Sequence, residues 1–185
     1  TCAKEGVRSY DPATGKQFWQ LQGMSRFVIT MPSAGNGMLY VNSGYVGDKV
    51  KPIYAIKPGG KGDITLEKNM TSNEYVAWCS SRIGSYNPSP LLLGERLYVL
   101  YDRGIFGCFN ALTGEEVYKA RLTGGTGQFT TSPWSHDGKI FCSNEYGQTW
   151  VLKSGDTFKI LHVNELDEMF MASPAIANGA LILRG

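Results

Sequence analysis

Apolar residues in this 185-residue chain fall in short runs bounded by Gly, Asn, Asp and Pro, a spacing of strands and turns rather than of helices. Residues 38–41, 96–100, 105–109, 139–142 and 149–152 are rich in apolar, β-branched or aromatic side chains and too short for helices, so each is predicted to be a strand. No segment carries a convincing helical pattern. Glu165-Leu166-Asp167-Glu168 is read as a solvated loop rather than a helical turn.

The runs recur in a fixed register. Ser89-Pro90, Ser132-Pro133 and Ser173-Pro174 each precede a short apolar stretch, a polar or Gly-bearing turn and an apolar strand, and Pro32 in Met31-Pro32-Ser33 opens a fourth copy. Eight residues after these prolines stand Tyr40, Tyr98, Phe141 and Ile182, each falling in the second of those two stretches. The turns between, Gly35-Asn36-Gly37, Gly94-Glu95-Arg96, His136-Asp137-Gly138 and Asn178-Gly179, have hairpin chemistry, since Gly and Asn tolerate positive φ. The prolines lie 58, 43 and 41 residues apart, and the two shorter intervals match the roughly 40–50 residues of a four-stranded repeat unit. The longer interval carries an insertion, placed around residues 59–63 and 69–74, where Gly and polar residues replace strand composition.

A second element repeats near the end of a unit. Tyr10-Asp11-Pro12-Ala13-Thr14-Gly15 is followed by Trp19, and Phe109-Asn110-Ala111-Leu112-Thr113-Gly114 by Tyr118, the aromatic standing four residues after the glycine in both. Asp or Asn starts such a turn by bonding its own backbone, Thr-Gly finishes it, and the aromatic then packs between neighbouring sheets. Lys153-Ser154-Gly155-Asp156 and Ile56-Lys57-Pro58-Gly59-Gly60 are degenerate copies.

These elements resemble the PQQ-like (quinoprotein alcohol dehydrogenase-like) β-propeller repeat, in the form carried by a subgroup of exported bacterial proteins. The resemblance rests on the Ser-Pro entry, the Leu-Tyr-Val strands at residues 39–41 and 97–99, and the Asp/Asn-x-x-Thr-Gly-x-x-x-aromatic turn, and it covers nearly the whole chain. It implies an all-β fold of four-stranded antiparallel blades, about four of them present, within a seven- or eight-bladed ring. The expected division is a partial blade over 1–25, blades over about 26–82, 83–125 and 126–167, and a partial blade over 168–185. A chain so divided is expected to be a piece of a longer propeller, with a small ring closed by its two partial blades as the alternative.

Composition narrows function mainly by exclusion. The formal net charge is +2 with basic residues scattered, and 42% hydrophobic and 18% charged content belongs to a globular chain. A nucleic-acid surface would show a clustered basic face, so no nucleic-acid partner is expected. No apolar run approaches the roughly 20 residues of a membrane span. Cys2, Cys79, Cys108 and Cys142 are widely spaced without a C-x-x-C pair, so they are read as small buried apolar residues; a disulfide among them stays open.

Candidate chemistry is sparse, and no catalytic, cofactor-binding or metal residue is assigned. A quinone-dependent enzyme of this superfamily would imply PQQ stacked on Trp, a calcium ion on carboxylate and amide oxygens, cationic groups for the quinone carboxylates and often adjacent cysteines. Adjacent cysteines are absent, and Trp19, Trp78, Trp134 and Trp150 are read as packing residues. His136 and His162 have no carboxylate at a recurring spacing. Gly124-Gly125-Thr126-Gly127 has phosphate-loop composition without a following helix, and Asn69-Met70-Thr71 is a glycosylation triplet of the kind that arises by chance.

One pattern does point to a ligand. Four residues before the motif prolines stand Val28, Tyr86, Phe129 and Phe170, positions that rotation about a propeller axis would place in a ring. If the ring faces an axial funnel, Tyr86, Phe129 and Phe170 contact a ligand or peptide; otherwise they pack between blades.

The leading expectation is a non-catalytic scaffold in the periplasm or secreted, resembling the propeller scaffold of outer-membrane assembly lipoproteins. Its partner would be a protein or the remaining blades. A quinoprotein dehydrogenase-like enzyme using PQQ and calcium, and a carbohydrate-binding propeller, are the alternatives.

Overall fold

A computed structural model describes residues 1–3, 6–125 and 127–185, and among these it contains strands and turns but no helix. The contacts divide the chain into two units: residues 1–86 with 111–114, and residues 87–110 with 115–185.

Unit 1 holds two sheets. The first runs in the order β1 (Cys2–Ala3), β2 (Gly6–Tyr10), β3 (Gln17–Leu21), β7 (Gly62–Asp63). The second runs β4 (Ser33–Gly35), β5 (Met38–Asn42), β6 (Ile53–Ile56), β8 (Val76–Ser80). The strand β7 corrects the sequence reading. Residues 62–63, expected to lie in an irregular insertion, pair parallel with β3 through Trp19↔Gly62 and Gln20↔Asp63. Ile64, next along, is buried with Val7, Trp19, Leu21, Val41, Tyr54, Ile56 and Val76. The polar composition of the segment hid two apolar anchors, Ile64 and the partly buried Leu66, that tie it to this cluster.

Unit 2 holds β9 (Leu91–Leu93), β10 (Arg96–Leu100), β11 (Ile105–Asn110) and β12 (Glu116–Arg121) in one sheet. A second sheet contains β13 (Trp134–His136), β14 (Lys139–Ser143), β15 (Gln148–Lys153) and β16 (Ile160–Glu165). The hairpin β17 (Ala175–Ala177) and β18 (Ala180–Ile182) follows. Tyr98, Leu100, Phe106 and Cys108 of the β9–β12 sheet share one buried cluster with Ile140, Cys142, Trp150 and Leu152 of the β13–β16 sheet. Alternate residues of neighbouring strands thus make the inter-sheet core.

Turn chemistry explains the hairpins. Asn36-Gly37, Asp137-Gly138 and Asn178-Gly179 all carry two successive positive φ angles, such as 52° and 70° at the first pair, the pattern of a two-residue type I′ turn. Gly94 alone is positive in the fourth hairpin, at 58°. Each four-stranded sheet also has an irregularity in the register of a late strand pair, at Ser9/Tyr10, Ala55/Ile56, Cys108/Phe109 and Val151/Leu152. A bulge there increases local twist and re-aims the side chains that follow.

The Ser-Pro motif has a physical reason. The Ser89 N–H donates to Ser132 Oγ at 2.9 Å, and the Ser132 N–H donates to Ser173 Oγ at 2.8 Å. Ser132 is therefore the acceptor for the repeat before it and the donor to the repeat after it. The proline that follows has no N–H to satisfy, so the chain can turn directly into the inner strand.

Candidate functional site

Three connections of unit 1 meet around Tyr45. A buried polar lattice fixes them. The Ser25 N–H donates to Ser43 Oγ at 2.9 Å, and Ser25 Oγ accepts from the Tyr45 N–H at 3.2 Å. The Asn42 amide clasps Ser85 from both sides, donating to Ser85 O at 3.1 Å and accepting from the Ser85 N–H at 3.0 Å on Oδ1. Glycine is required where the backbones cross, because a Cβ on Gly84 would stand 2.2 Å from Ser43 O. Buried polar groups satisfied in this way hold loops as firmly as strands.

On this lattice stand aromatic rings. Phe27 meets Tyr45 edge-on at 4.7 Å, and Tyr45 meets Tyr86 at 5.3 Å. The Arg26 guanidinium lies 5.0 Å from the Tyr45 ring and is held by Asp48, with Nε donating to Oδ1 at 2.7 Å and the Arg26 N–H donating to Oδ2 at 2.7 Å. The Arg26 backbone bond first, and then its guanidinium, hold the Asp48 carboxyl below the usual range. Phe27 is 52% exposed, and exposure alternates along the segment, with Ile29 and Met31 also turned outward; Val46 and Val50 are exposed as well. A preorganised aromatic and cationic surface with apolar neighbours suits recognition of another macromolecule better than proton or group transfer.

The sequence did not isolate this cluster. Ten residues, 43–52, separate β5 from β6, where four separate β10 from β11 and four separate β14 from β15. Part of the extra length assigned to residues 59–63 and 69–74 therefore sits here, and the length comparison was its available signal.

Of the ring positions, Tyr86 is half-buried with its edge on Tyr45. Phe129 is only 3% exposed and lies 5.3 Å from Trp150, and Phe170 is 2% exposed. In unit 2 Phe129 belongs to the buried cluster, Phe170 lines a cavity with Trp134, Phe141 and Leu181, and in unit 1 Val28 is half-buried. The tryptophans have structural partners too. Trp19 lies under Gly60, Trp78 Nε1 donates to Ala111 O at 2.8 Å, Trp150 Nε1 donates to Thr123 O at 2.8 Å, and Trp134 stacks on Phe141 at 4.0 Å. Trp78 and Trp19 thus each face one of the Gly-bearing turns recognised in the sequence.

All four cysteines are free thiols. Burial pushes Cys79 and Cys108 up to about 11 and raises Cys142 further. His136 and His162 are exposed. Gly125 approaches Gln148 and Trp150 too closely for a Cβ, and Thr126 of that loop lies outside the described residues. Among the described residues, no three His, Cys, Asp or Glu side chains gather as a metal site. With every Trp in a packing contact, these residues do not fit PQQ and calcium, and no chemical step is derived through them.

No protein-family model and no curated protein matches the chain. Solved structures do match. BamB from Moraxella catarrhalis is similar at 15% identity and a TM-score of 0.64, over 96% of this chain and 51% of that one. A computationally designed protein, Ika8, is similar at 13% identity and 0.68, over 98% and 50%. A europium-containing methanol dehydrogenase is similar at 14% and 0.53, over 88% and 26%. The chain therefore has the fold of the PQQ-like β-propellers, with its four-stranded sheets, antiparallel except for the β3–β7 pair, as blades, and it spans about half the length of the first two matches.

Proposed function

We propose that the chain is a non-catalytic propeller scaffold, periplasmic or secreted, that binds a protein partner through the Phe27, Tyr45 and Tyr86 surface of unit 1, and that further blades accompany it in the parent protein. The carrying observation is the exposed apolar and aromatic surface set on a rigid polar lattice, with Phe27 52% and Met31 74% exposed. Exposed large apolar groups beside aromatic and arginine anchors mark interaction surfaces. The export reading comes from the resemblance of the repeat to exported bacterial proteins.

The test is co-purification from the exported fraction of the source cells with wild-type protein and with a Phe27→Ser, Met31→Ser variant of unchanged thermal stability. A stoichiometric protein partner retained by the first and lost by the second supports the reading. Recovery of the protein only in the cytosol contradicts the export part. A saturable absorbance change on adding PQQ and calcium contradicts the non-catalytic part.

A further inference from the structure

Charge divides unevenly around the Tyr45 surface. Along residues 22–56 and 80–86 the cations are Arg26, Lys49, Lys51 and Arg82, against one carboxylate, Asp48. Asp48 is already committed, taking the Arg26 N–H on one oxygen and Arg26 Nε on the other. Lys49, Lys51 and Arg82 have no ion-pair partner among the described residues. The two lysines flank the exposed Val50. The turn that carries Arg82 is tied to Lys51 on both sides, the Lys51 N–H donating to Ser81 O and the Gly84 N–H donating to Lys51 O, each at 2.8 Å.

The Arg26 guanidinium is held in place without being used up. Besides its bond to Asp48, Nη2 donates to Gly47 O at 3.3 Å, and Gly47 sits so close that a Cβ there would stand 2.7 Å from the Tyr45 ring. Nη1 has no protein partner among the described residues, and the side chain is 54% exposed. A fixed guanidinium with a free donor edge suits a carboxylate. The apolar part has its own order. Thr30 is buried, its Oγ1 donating to Asn42 O at 2.6 Å, while Phe27, Ile29 and Met31 stand outward. That period of two is the period of an extended chain, in which alternate side chains repeat every ~6.4–6.8 Å.

We propose that the partner segment recognised here is an extended acidic peptide, with apolar side chains at alternate positions and Asp or Glu beside them. The inference rests on the protein-partner reading above and adds the chemistry of that partner. Its apolar residues lie against Phe27, Ile29 and Met31, and its carboxylates meet Arg26, Lys49, Lys51 and Arg82. Four cations against one committed carboxylate repel a basic segment and steer an acidic one. The aromatic and arginine groups supply the anchors, and the lysines supply the charge selection. An anionic membrane would answer the charge but offers no side chains spaced to match the alternating apolar row.

The test is selection from a phage-displayed library of random peptides on the 185-residue chain, with the best peptide labelled with fluorescein and titrated by anisotropy. Selected peptides are expected to be rich in Asp and Glu with apolar residues two apart, and their affinity should fall as salt rises. Lys49→Glu with Lys51→Glu should weaken binding about tenfold, the scale of two exposed ion pairs reversed in sign. The same peptide with its acidic residues changed to Lys should recover binding to that variant, which a merely unfolded variant would not allow. Peptides without an acidic excess, lost with Phe27→Ser and Met31→Ser but indifferent to the lysine reversal, overturn the acidic class and leave the partner surface standing. Peptides indifferent to Phe27→Ser and Met31→Ser, or no saturable peptide at all, overturn both. Saturable binding to phosphatidylglycerol vesicles that excludes the peptide also overturns the proposal and assigns the surface to a lipid.

Discussion

Gly114→Ala tests whether the aromatic-to-turn contact holds a repeat together. Gly114 has φ of 77°, and a Cβ there would lie 2.7 Å from Trp78 Cε3 and 2.8 Å from Cδ2. Two costs follow. Placing alanine in the left-handed region costs about 1–2 kcal/mol, and forcing a methyl against a held ring costs about 1–3 kcal/mol. The ring has little room to retreat, since its Nε1 is bonded to Ala111 O at 2.8 Å and it is only 7% exposed. A loss of about 2–5 kcal/mol is expected from urea unfolding, read as a shift in midpoint at constant slope. In a Trp78→Leu background the steric part disappears and only the backbone part of about 1–2 kcal/mol remains. Equal losses in the two backgrounds would refute the argument, because the cost would then be independent of the ring.

Three further outcomes are expected. Cys108 and Cys142, both buried, should stay unlabelled by a thiol reagent at pH 8 in the folded chain and react on unfolding, as timed labelling with mass spectrometry would show. The Asp11 carboxyl, which accepts from the Ala13 N–H and then the Thr14 hydroxyl, is held below its ordinary value. Its contribution to stability is therefore present above about pH 4 and lost as pH falls through the lowered value; Thr14→Val should raise the Asp11 value in a carboxyl NMR titration and bring acid unfolding to higher pH. Asp156→Asn should cause a small loss of stability that shrinks in high salt, because the Asp156 side chain of the Arg96 pair is largely exposed.

The repeat was readable because turns have strict chemistry. Asn36-Gly37, Asp137-Gly138 and Asn178-Gly179 force hairpins whatever surrounds them, and the eight-residue step from each proline then fixes the register of Tyr40, Tyr98, Phe141 and Ile182. What escaped were features set by tertiary placement. Ile64 and Leu66 are isolated apolar residues in a polar stretch, and only the tertiary pairing of residues 62–63 with β3 shows that they form a strand. The strand irregularities before each turn have no composition of their own. The Tyr45 cluster joins Tyr86 of the repeated position to residues 26–27 and 45–48, which belong to no motif, while Phe129 and Phe170 at that same repeated position are buried. A repeated position predicts a repeated backbone, and exposure depends on what each blade meets.

Hydrogen exchange at Ser89 and Ser132 tests the repeated blade-to-blade contact most directly. Both amides precede a proline and lie outside strands, where exchange would ordinarily be fast, yet each donates to the serine one repeat on, at 2.9 and 2.8 Å. Both are expected to be protected in the folded chain. Ser132→Ala should release the Ser89 amide, and Ser173→Ala should release the Ser132 amide while leaving Ser89 protected. Fast exchange at both serines in the wild-type chain, or equal loss at both in either variant, would contradict the account.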